Sequence, residues 1–143
     1  VEKVRTEFQK APHVVCLSGP YIYHDLPRAR QFFVKLYWLF LGMPTYFLVG
    51  YMVVGGNFAI RRNTLEKMNG FDTSIEFYGE DTNIARRASK FGKVKFSLAL
   101  TMPTSGRRLS EQGFLKTGYI YVANFISEVL LKKPAHRDYT DIR

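Results

Sequence analysis

The sequence predicts an α/β fold. Short apolar stretches typical of strands alternate along the chain with amphipathic stretches of helical period, and this order is typical of strands and helices packed in layers. The 143 residues are 46% hydrophobic and 23% charged, an ordinary balance for a globular chain. The single cysteine, Cys16, excludes an internal disulfide framework and favours a reducing compartment. Only about three strands are visible, which is few for such a sheet, so we expect part of the domain to lie outside this sequence.

The first part of the chain is predicted to open with a helix, because Val1, Val4 and Phe8 share one helical face. The next predicted elements are a buried strand at residues 13–18, a loop at 21–27 and a helix at 28–41. Gly42 and Pro44 are expected to interrupt that second helix.

The second part is predicted to contain more helices and strands. They are a strand at 53–62, a helix at 63–68, a loop at 71–79, a helix at 80–91, a strand at 93–101, a basic loop at 103–113 and a helix at 114–131. Asn63 followed by Glu66 resembles a capping box, and Gly92 is expected to close its helix as a C′ glycine. Val94 and Phe96 alternate with polar residues, as in a half-exposed strand.

An uncharged segment covers residues 36–60. It exceeds the roughly 20 apolar residues that cross a bilayer, so membrane contact is one interpretation. Several glycines, Pro44 and Asn57 break any single continuous span. The alternative is a buried helix followed by a buried strand whose aromatic side chains pack against the rest of the protein.

The chain is strongly basic, with a formal net charge of +9 and a sequence pI of about 9.8. Together with the apolar segment and Lys132-Lys133 after the last predicted helix, this charge favours an anionic membrane surface as a partner. A nucleic-acid-binding module is a competing interpretation, because 15% of the residues are aromatic. No binding motif supports it, and the aromatic residues fall in uncharged runs, so we expect no nucleic-acid partner.

The first candidate site is Gly79-Glu80-Asp81, where two carboxylates open a predicted helix. The free N–H groups and the positive dipole end of a helix keep a carboxylate ionised. An ionised carboxylate can accept a proton from a substrate hydroxyl. The alternative is that these acids only cap the helix.

Two other segments carry candidate binding residues. Gly55-Gly56-Asn57 lets the backbone approach a ligand closely, or forms only a bulge or tight corner. Arg107 and Arg108 follow a Ser-Gly pair and can grip a phosphate or diphosphate, or belong only to a solvated basic loop.

Taken together, these segments resemble family 2 glycosyltransferases of the GT-A fold. The resemblance is strong over about residues 55–113 and rests on several segments in order. They are Gly55-Gly56-Asn57 through Arg61-Arg62, then Asn69-Gly70-Phe71-Asp72, Gly79-Glu80-Asp81-Thr82, Ala85-Arg86-Arg87, Phe91-Gly92-Lys93-Val94 and Thr104-Ser105-Gly106-Arg107-Arg108.

The resemblance implies a role for each matched residue. Asp81 is expected to be the general base that deprotonates the acceptor hydroxyl, and Glu80 to hold or orient the site. The residues expected to bind substrate are Gly55, Gly56 and Asn57 around the donor sugar and acceptor, and Arg107 and Arg108 at the donor diphosphate.

One departure from the family pattern is the absence of any Asp-x-Asp metal motif. The chain therefore resembles the C-terminal portion of a Rossmann-like mixed sheet with flanking helices, with the nucleotide-binding half absent. Residues 1–113 would belong to the glycosyltransferase domain and residues 114–143 to an amphipathic helix and charged tail. The complete enzyme is expected to use Mg²⁺ or Mn²⁺, held mostly by ligands outside this chain, and no metal ligand is assigned here.

The implied activity is inverting transfer of a sugar from a nucleotide-sugar donor to a saccharide or lipid-linked acceptor. We expect the enzyme to be cytoplasmic, with peripheral attachment to the inner membrane face, and this chain alone to be inactive. A basic membrane-surface or nucleic-acid-binding module without catalysis is the alternative.

Overall fold

A computed structural model of the chain describes residues 2–75 and 79–107, and positions 119, 122, 123, 125, 127 and 129 of the C-terminal region. The described residues form a mixed α/β structure with a small mixed sheet and helices, which confirms the predicted α/β class. The helices are α1 (Glu2–Lys10), α2 (Arg28–Tyr37), α3 (Met43–Val49), α4 (Arg62–Lys67) and α5 (Glu80–Ala88). The strands are β1 (Val14–Ser18), β2 (Tyr21–Tyr23), β3 (Phe58–Ile60), β4 (Lys93–Phe96) and β5 (Met102–Thr104).

The main sheet has three strands in the order β3–β1–β4, with β1 antiparallel to β3 and parallel to β4. Leu17 at its centre lies opposite Ala59 on one side and Lys95 on the other. All of β1 is buried, as its continuous apolar run predicts. Ala85 and Ala88 of α5 pack with β1 in the core.

A second sheet of two parallel strands joins β2 to β5. Tyr21 lies opposite Met102, and Tyr23 opposite Thr104. The prediction of a loop throughout residues 21–27 is therefore wrong for its first three residues. Strands this short have no readable period, and their hydrogen-bond partners come from a distant part of the chain.

Helices α2 and α3 are joined by one wide π-helical turn, Trp38–Gly42, into a single helical arm, Arg28–Val49. Gly42 and Pro44 are predicted to interrupt the second helix. The α-helical hydrogen bonding does change to a π turn that ends at Gly42, but the helix continues through Pro44 to Val49. The π turn just before Pro44 accommodates its ring and its missing N–H, so the arm continues past the proline. The arm ends at Gly50, which adopts a left-handed conformation.

Four other predicted features also differ from the structure, two helix ends and two strands. The capping box at Asn63 is wrong, because α4 begins one residue earlier and Arg61 occupies the N-cap without a side-chain hydrogen bond. Gly92 does not act as a left-handed C′ residue, since α5 already ends at Ala88 and Gly92 lies against β1. The strands predicted at 53–62 and 93–101 are limited to β3 and β4, because pairing with the short β1 limits their length.

The predicted domain boundary at residues 113 and 114 lies outside the described residues. Most of the helix predicted at 114–131 also lies outside them, although the six described positions there are helical.

Candidate functional site

The Gly55-Gly56-Asn57 segment forms a tight turn between the arm and β3, and Ser18 at the end of β1 holds it. The N–H of Val54 donates to Ser18 Oγ at 2.9 Å, and Ser18 Oγ donates to the carbonyl oxygen of Asn57 at 2.7 Å. The N–H of Asn57 closes the turn on the carbonyl of Val54 at 3.0 Å. The position of the turn is therefore fixed by the end of the central strand.

Asn57 ties this turn to two neighbouring segments. Its side chain is 8% exposed, and Nδ2 donates to the carbonyls of Gly19 and Leu100 at 2.9 Å each and approaches that of Pro20 at 3.3 Å. An amide carries two N–H protons, so these main-chain contacts use both of them. Because the amide protons of Asn57 are already engaged, its effect on a ligand is to position the turn and not to donate to the ligand directly.

Asp81 lies in the first turn of α5, directly beside the glycine turn. Its Oδ2 accepts a hydrogen bond from the N–H of Gly55 at 3.2 Å, and its Oδ1 accepts one from the N–H of Thr82 at 2.8 Å. The structure thus joins two of the candidate segments that the sequence identifies separately. Glu80, the other acid of the pair, is exposed.

Burial raises the pKa of Asp81 above its ordinary value. The N–H groups of Thr82 and Gly55 oppose this rise because they stabilise the carboxylate, and the negative charge of Glu80 adds to it. A raised pKa brings a carboxyl group closer to the neutral range in which a general base works best.

Both interpretations of Asp81 remain compatible with this geometry. The N-cap of α5 is Gly79, and the contact of Asp81 with the N–H of Thr82 satisfies one free donor of the first turn. A purely capping acid does not need the second contact with the distant Gly55. The half-buried carboxylate, held by two N–H donors, can also orient towards and deprotonate a hydroxyl group placed beside it.

The basic loop is held by a residue that the sequence did not identify. Asp25 accepts hydrogen bonds from Ser105 Oγ at 2.5 Å and from the N–H of Gly106 at 2.6 Å. These bonds hold the pKa of Asp25 below its usual value. Arg107 is exposed, its main-chain N–H donates to Ser105 Oγ at 3.3 Å, and Arg108 lies outside the described residues. The structure therefore joins this loop to Asp25, and the glycine turn to Asp81.

Tyr21 is a second site residue that the sequence did not identify. Its hydroxyl donates to the carbonyl oxygen of Gly55, while the N–H of Gly55 donates to Asp81. Both main-chain polar groups of Gly55 are therefore hydrogen-bonded to side chains. Tyr21 also lines a cavity of about 320 Å³ between β2 and the arm, together with apolar residues that include Trp38 and Leu39. Neither Tyr21 nor Asp25 stands out in the sequence, because their partners lie far along the chain.

The next question is whether the described residues include a set of metal ligands. Within residues 2–75 and 79–107 and the described C-terminal positions, no group of three or more His, Cys, Asp or Glu side chains could hold a metal ion. The expected Mg²⁺ or Mn²⁺ stays a prediction for the complete enzyme.

Comparison of this chain with protein-family models, curated proteins and solved structures finds no match.

Proposed function

We propose that this chain is the acceptor-side part of an inverting glycosyltransferase and that Asp81 is its general base. One observation carries the proposal, namely the hydrogen bond from the N–H of Gly55 to Asp81 Oδ2. The sequence resemblance places both residues at the site, and they lie 26 positions apart along the chain. Their contact brings the two candidate segments side by side, which supports a shared pocket for sugar and acceptor.

The chemistry assigned to Asp81 is a single proton transfer. The carboxylate takes the proton of an acceptor hydroxyl as the hydroxyl oxygen attacks the anomeric carbon of the donor sugar. The bond between that carbon and the diphosphate breaks, and the diphosphate leaves with the bonding electron pair. Direct displacement of this kind inverts the configuration at the anomeric carbon. The raised pKa of Asp81 supports the assignment, because it strengthens the carboxylate as a base.

The remaining site residues are proposed to position the substrates. Gly55 is exposed beside the Asp81 carboxylate, and Asn57 and Tyr21 hold its turn in place. Arg107 and Arg108 are proposed to neutralise the leaving diphosphate, since guanidinium groups match its oxygens. The GT-A fold, the nucleotide-sugar donor, the divalent ion and a cytoplasmic location belong to the same proposal.

The test measures release of nucleoside diphosphate by the complete protein that contains this chain. Wild type is supplied with a panel of nucleoside diphosphate sugars, Mg²⁺ or Mn²⁺, and saccharide or lipid-linked acceptors. Asp81→Asn keeps the shape of the side chain but is a far weaker base, and we expect turnover to fall by about 10²–10⁴-fold while donor binding survives.

The matched control is Glu66→Gln, which removes an exposed carboxylate from α4 and should leave turnover unchanged. Wild-type turnover by Asp81→Asn would refute the assignment of the base. A wild-type protein that releases diphosphate from no donor in the panel would refute the proposed activity.

A further inference from the structure

The helical arm, Arg28–Val49, exposes an unusual number of large apolar side chains. Six of them are more than half exposed: Phe32 57%, Phe33 59%, Leu39 53%, Phe40 71%, Phe47 73% and Leu48 87%. Soluble proteins rarely expose contiguous apolar surface of this extent without a partner. The arm is also the one helix among the described residues that is long and apolar enough to cross a membrane, with a mean hydropathy of 1.5.

The opposite side of the arm is packed on the protein. Val34, Gly42 and Tyr46 are buried and follow one another at a helical interval. Trp38, in the same stripe, stacks on Phe96 of β4 with ring centroids 5.3 Å apart. Tyr46 also donates a hydrogen bond from its hydroxyl to the carbonyl of Val94 at 3.2 Å.

This packing decides how the arm can meet a bilayer. A helix that crosses the membrane would withdraw Trp38 and Tyr46 from β4 and leave Phe96 uncovered. A helix that lies in the membrane plane keeps these contacts and inserts only its exposed face into the boundary between headgroups and acyl chains. The structure therefore favours an arm that lies on the membrane.

The charges along the arm indicate which surface it fits. Arg28, Arg30 and Lys35 are exposed, and no acidic residue occurs between Asp25 and Glu66. Basic residues are attracted to an anionic bilayer and strengthen the binding of the chain that carries them. We propose that the arm docks in the plane of an anionic lipid bilayer, with its phenylalanine face inserted and its basic residues at the headgroups.

The cavity beneath the arm supports lipid as the occupant. Leu39 is both exposed on the arm and part of the cavity lining, so the apolar surface continues from the arm into the cavity. Tyr21 on the other wall contacts Gly55. If the proposed glycosyl transfer holds, docking therefore brings the acceptor side close to membrane lipids. The docking itself does not depend on that activity.

The first experiment is flotation of the complete protein that contains this chain with vesicles. We expect binding to vesicles that contain phosphatidylglycerol, weaker binding in high salt, and little binding to pure phosphatidylcholine. The double variant Phe40→Gln/Phe47→Gln should reduce partitioning at least about tenfold, because each exposed ring carries apolar area into the interface. The matched control, Phe71→Gln/Phe91→Gln, alters two exposed rings outside the arm and should bind like wild type.

The second experiment uses Trp38, the single tryptophan of these 143 residues, which lies near the middle of the arm. Any tryptophan elsewhere in the complete protein is replaced by phenylalanine. An arm in the membrane plane keeps Trp38 at shallow depth, so lipids brominated near the headgroup should quench its fluorescence more than lipids brominated near the chain ends. Stronger quenching by the deep bromines would overturn the proposal in favour of a crossing helix.

Two further outcomes also count against docking. A chain that stays unbound with anionic vesicles at low salt refutes it. A chain that does not bind vesicles and forms a dimer, which the double variant converts to a monomer, assigns the face to a second copy. Each outcome leaves the test of diphosphate release unaffected, so the two proposals fail separately.

Discussion

Replacement of Asn57 by alanine is expected to destabilise the protein strongly. The side chain is 8% exposed and donates to the carbonyls of Gly19 and Leu100 at 2.9 Å. Each of these hydrogen bonds contributes about 0.5–1.5 kcal/mol, and each buried carbonyl left without a donor costs about 1–3 kcal/mol. A water that enters the vacated space recovers part of this loss, so we expect the free energy of unfolding to fall by roughly 2–4 kcal/mol.

The size of the thermal effect follows from the length of the chain. At about 2.1 cal/mol/K for each residue, unfolding of 143 residues has an entropy of about 0.3 kcal/mol/K. The loss for Asn57→Ala therefore corresponds to a fall in Tm of about 7–13 °C. Asn57→Asp should cost at least as much, because it keeps the shape but turns a carboxylate towards the same carbonyl oxygens.

Urea unfolding followed by the fluorescence of Trp38 measures this loss, because Trp38 stacks on Phe96 in the native state. The control is Asn63→Ala, the same chemical change at an exposed position on α4, which should shift the free energy by less than about 0.5 kcal/mol. The slope of the unfolding free energy with urea should be unchanged in both variants. Equal midpoints for Asn57→Ala and Asn63→Ala would show that Asn57 does not hold the turn.

Two further predictions concern glycine and cysteine. Gly56 and Gly50 both have positive φ, of 79° and 82°, but a Cβ at Gly56 would lie 2.6 Å from Tyr21 Oη whereas Gly50 is open. Gly50→Ala should therefore lower the free energy of unfolding by only the backbone strain of about 1–2 kcal/mol, and Gly56→Ala should lower it by more. Equal losses for the two variants in urea unfolding would exclude the Tyr21 contact as a cause. Burial raises the pKa of the Cys16 thiol to about 12, so a thiol reagent at pH 8 should label it only after denaturation. Rapid labelling of the native protein would contradict this. The free energy of unfolding should also fall as pH rises above 9.0, because the thiol of the unfolded chain ionises there while the native thiol keeps its proton up to about 12.

Local patterns in the sequence determined much of the secondary structure. The apolar period identified α1, and the apolar run before Gly19 identified β1. These elements were predictable because a helical or strand period is a property of neighbouring residues. The capping box predicted at Asn63 shows the limit of such patterns. Asn63 and Glu66 have the residue types and spacing of a capping box, but α4 begins at Arg62 and uses neither of them as a cap.

The site depended on the sequence for its residues and on the tertiary structure for their arrangement. Residue types, and then the resemblance to glycosyltransferases, identified Gly55 and Asp81 as candidates. Only the fold placed the N–H of Gly55 against the carboxylate of Asp81. The fold also buried Asn57 where its side chain bonds the glycine turn to the segments of Gly19 and Leu100, and it brought Asp25 to Gly106, 81 positions away. Hydrogen bonds between such distant residues leave no spacing in the sequence to read.

The helical arm shows the same division between sequence and structure. The sequence determined that residues 36–60 carry no charge, a property shared by a buried helix, a membrane span and a surface helix. Only the tertiary structure decided which side is covered, because Trp38 and Tyr46 pack on Phe96 while Phe40 and Phe47 remain exposed. Composition sets how apolar a helix is, and packing against the sheet decides which of its faces is left for a partner.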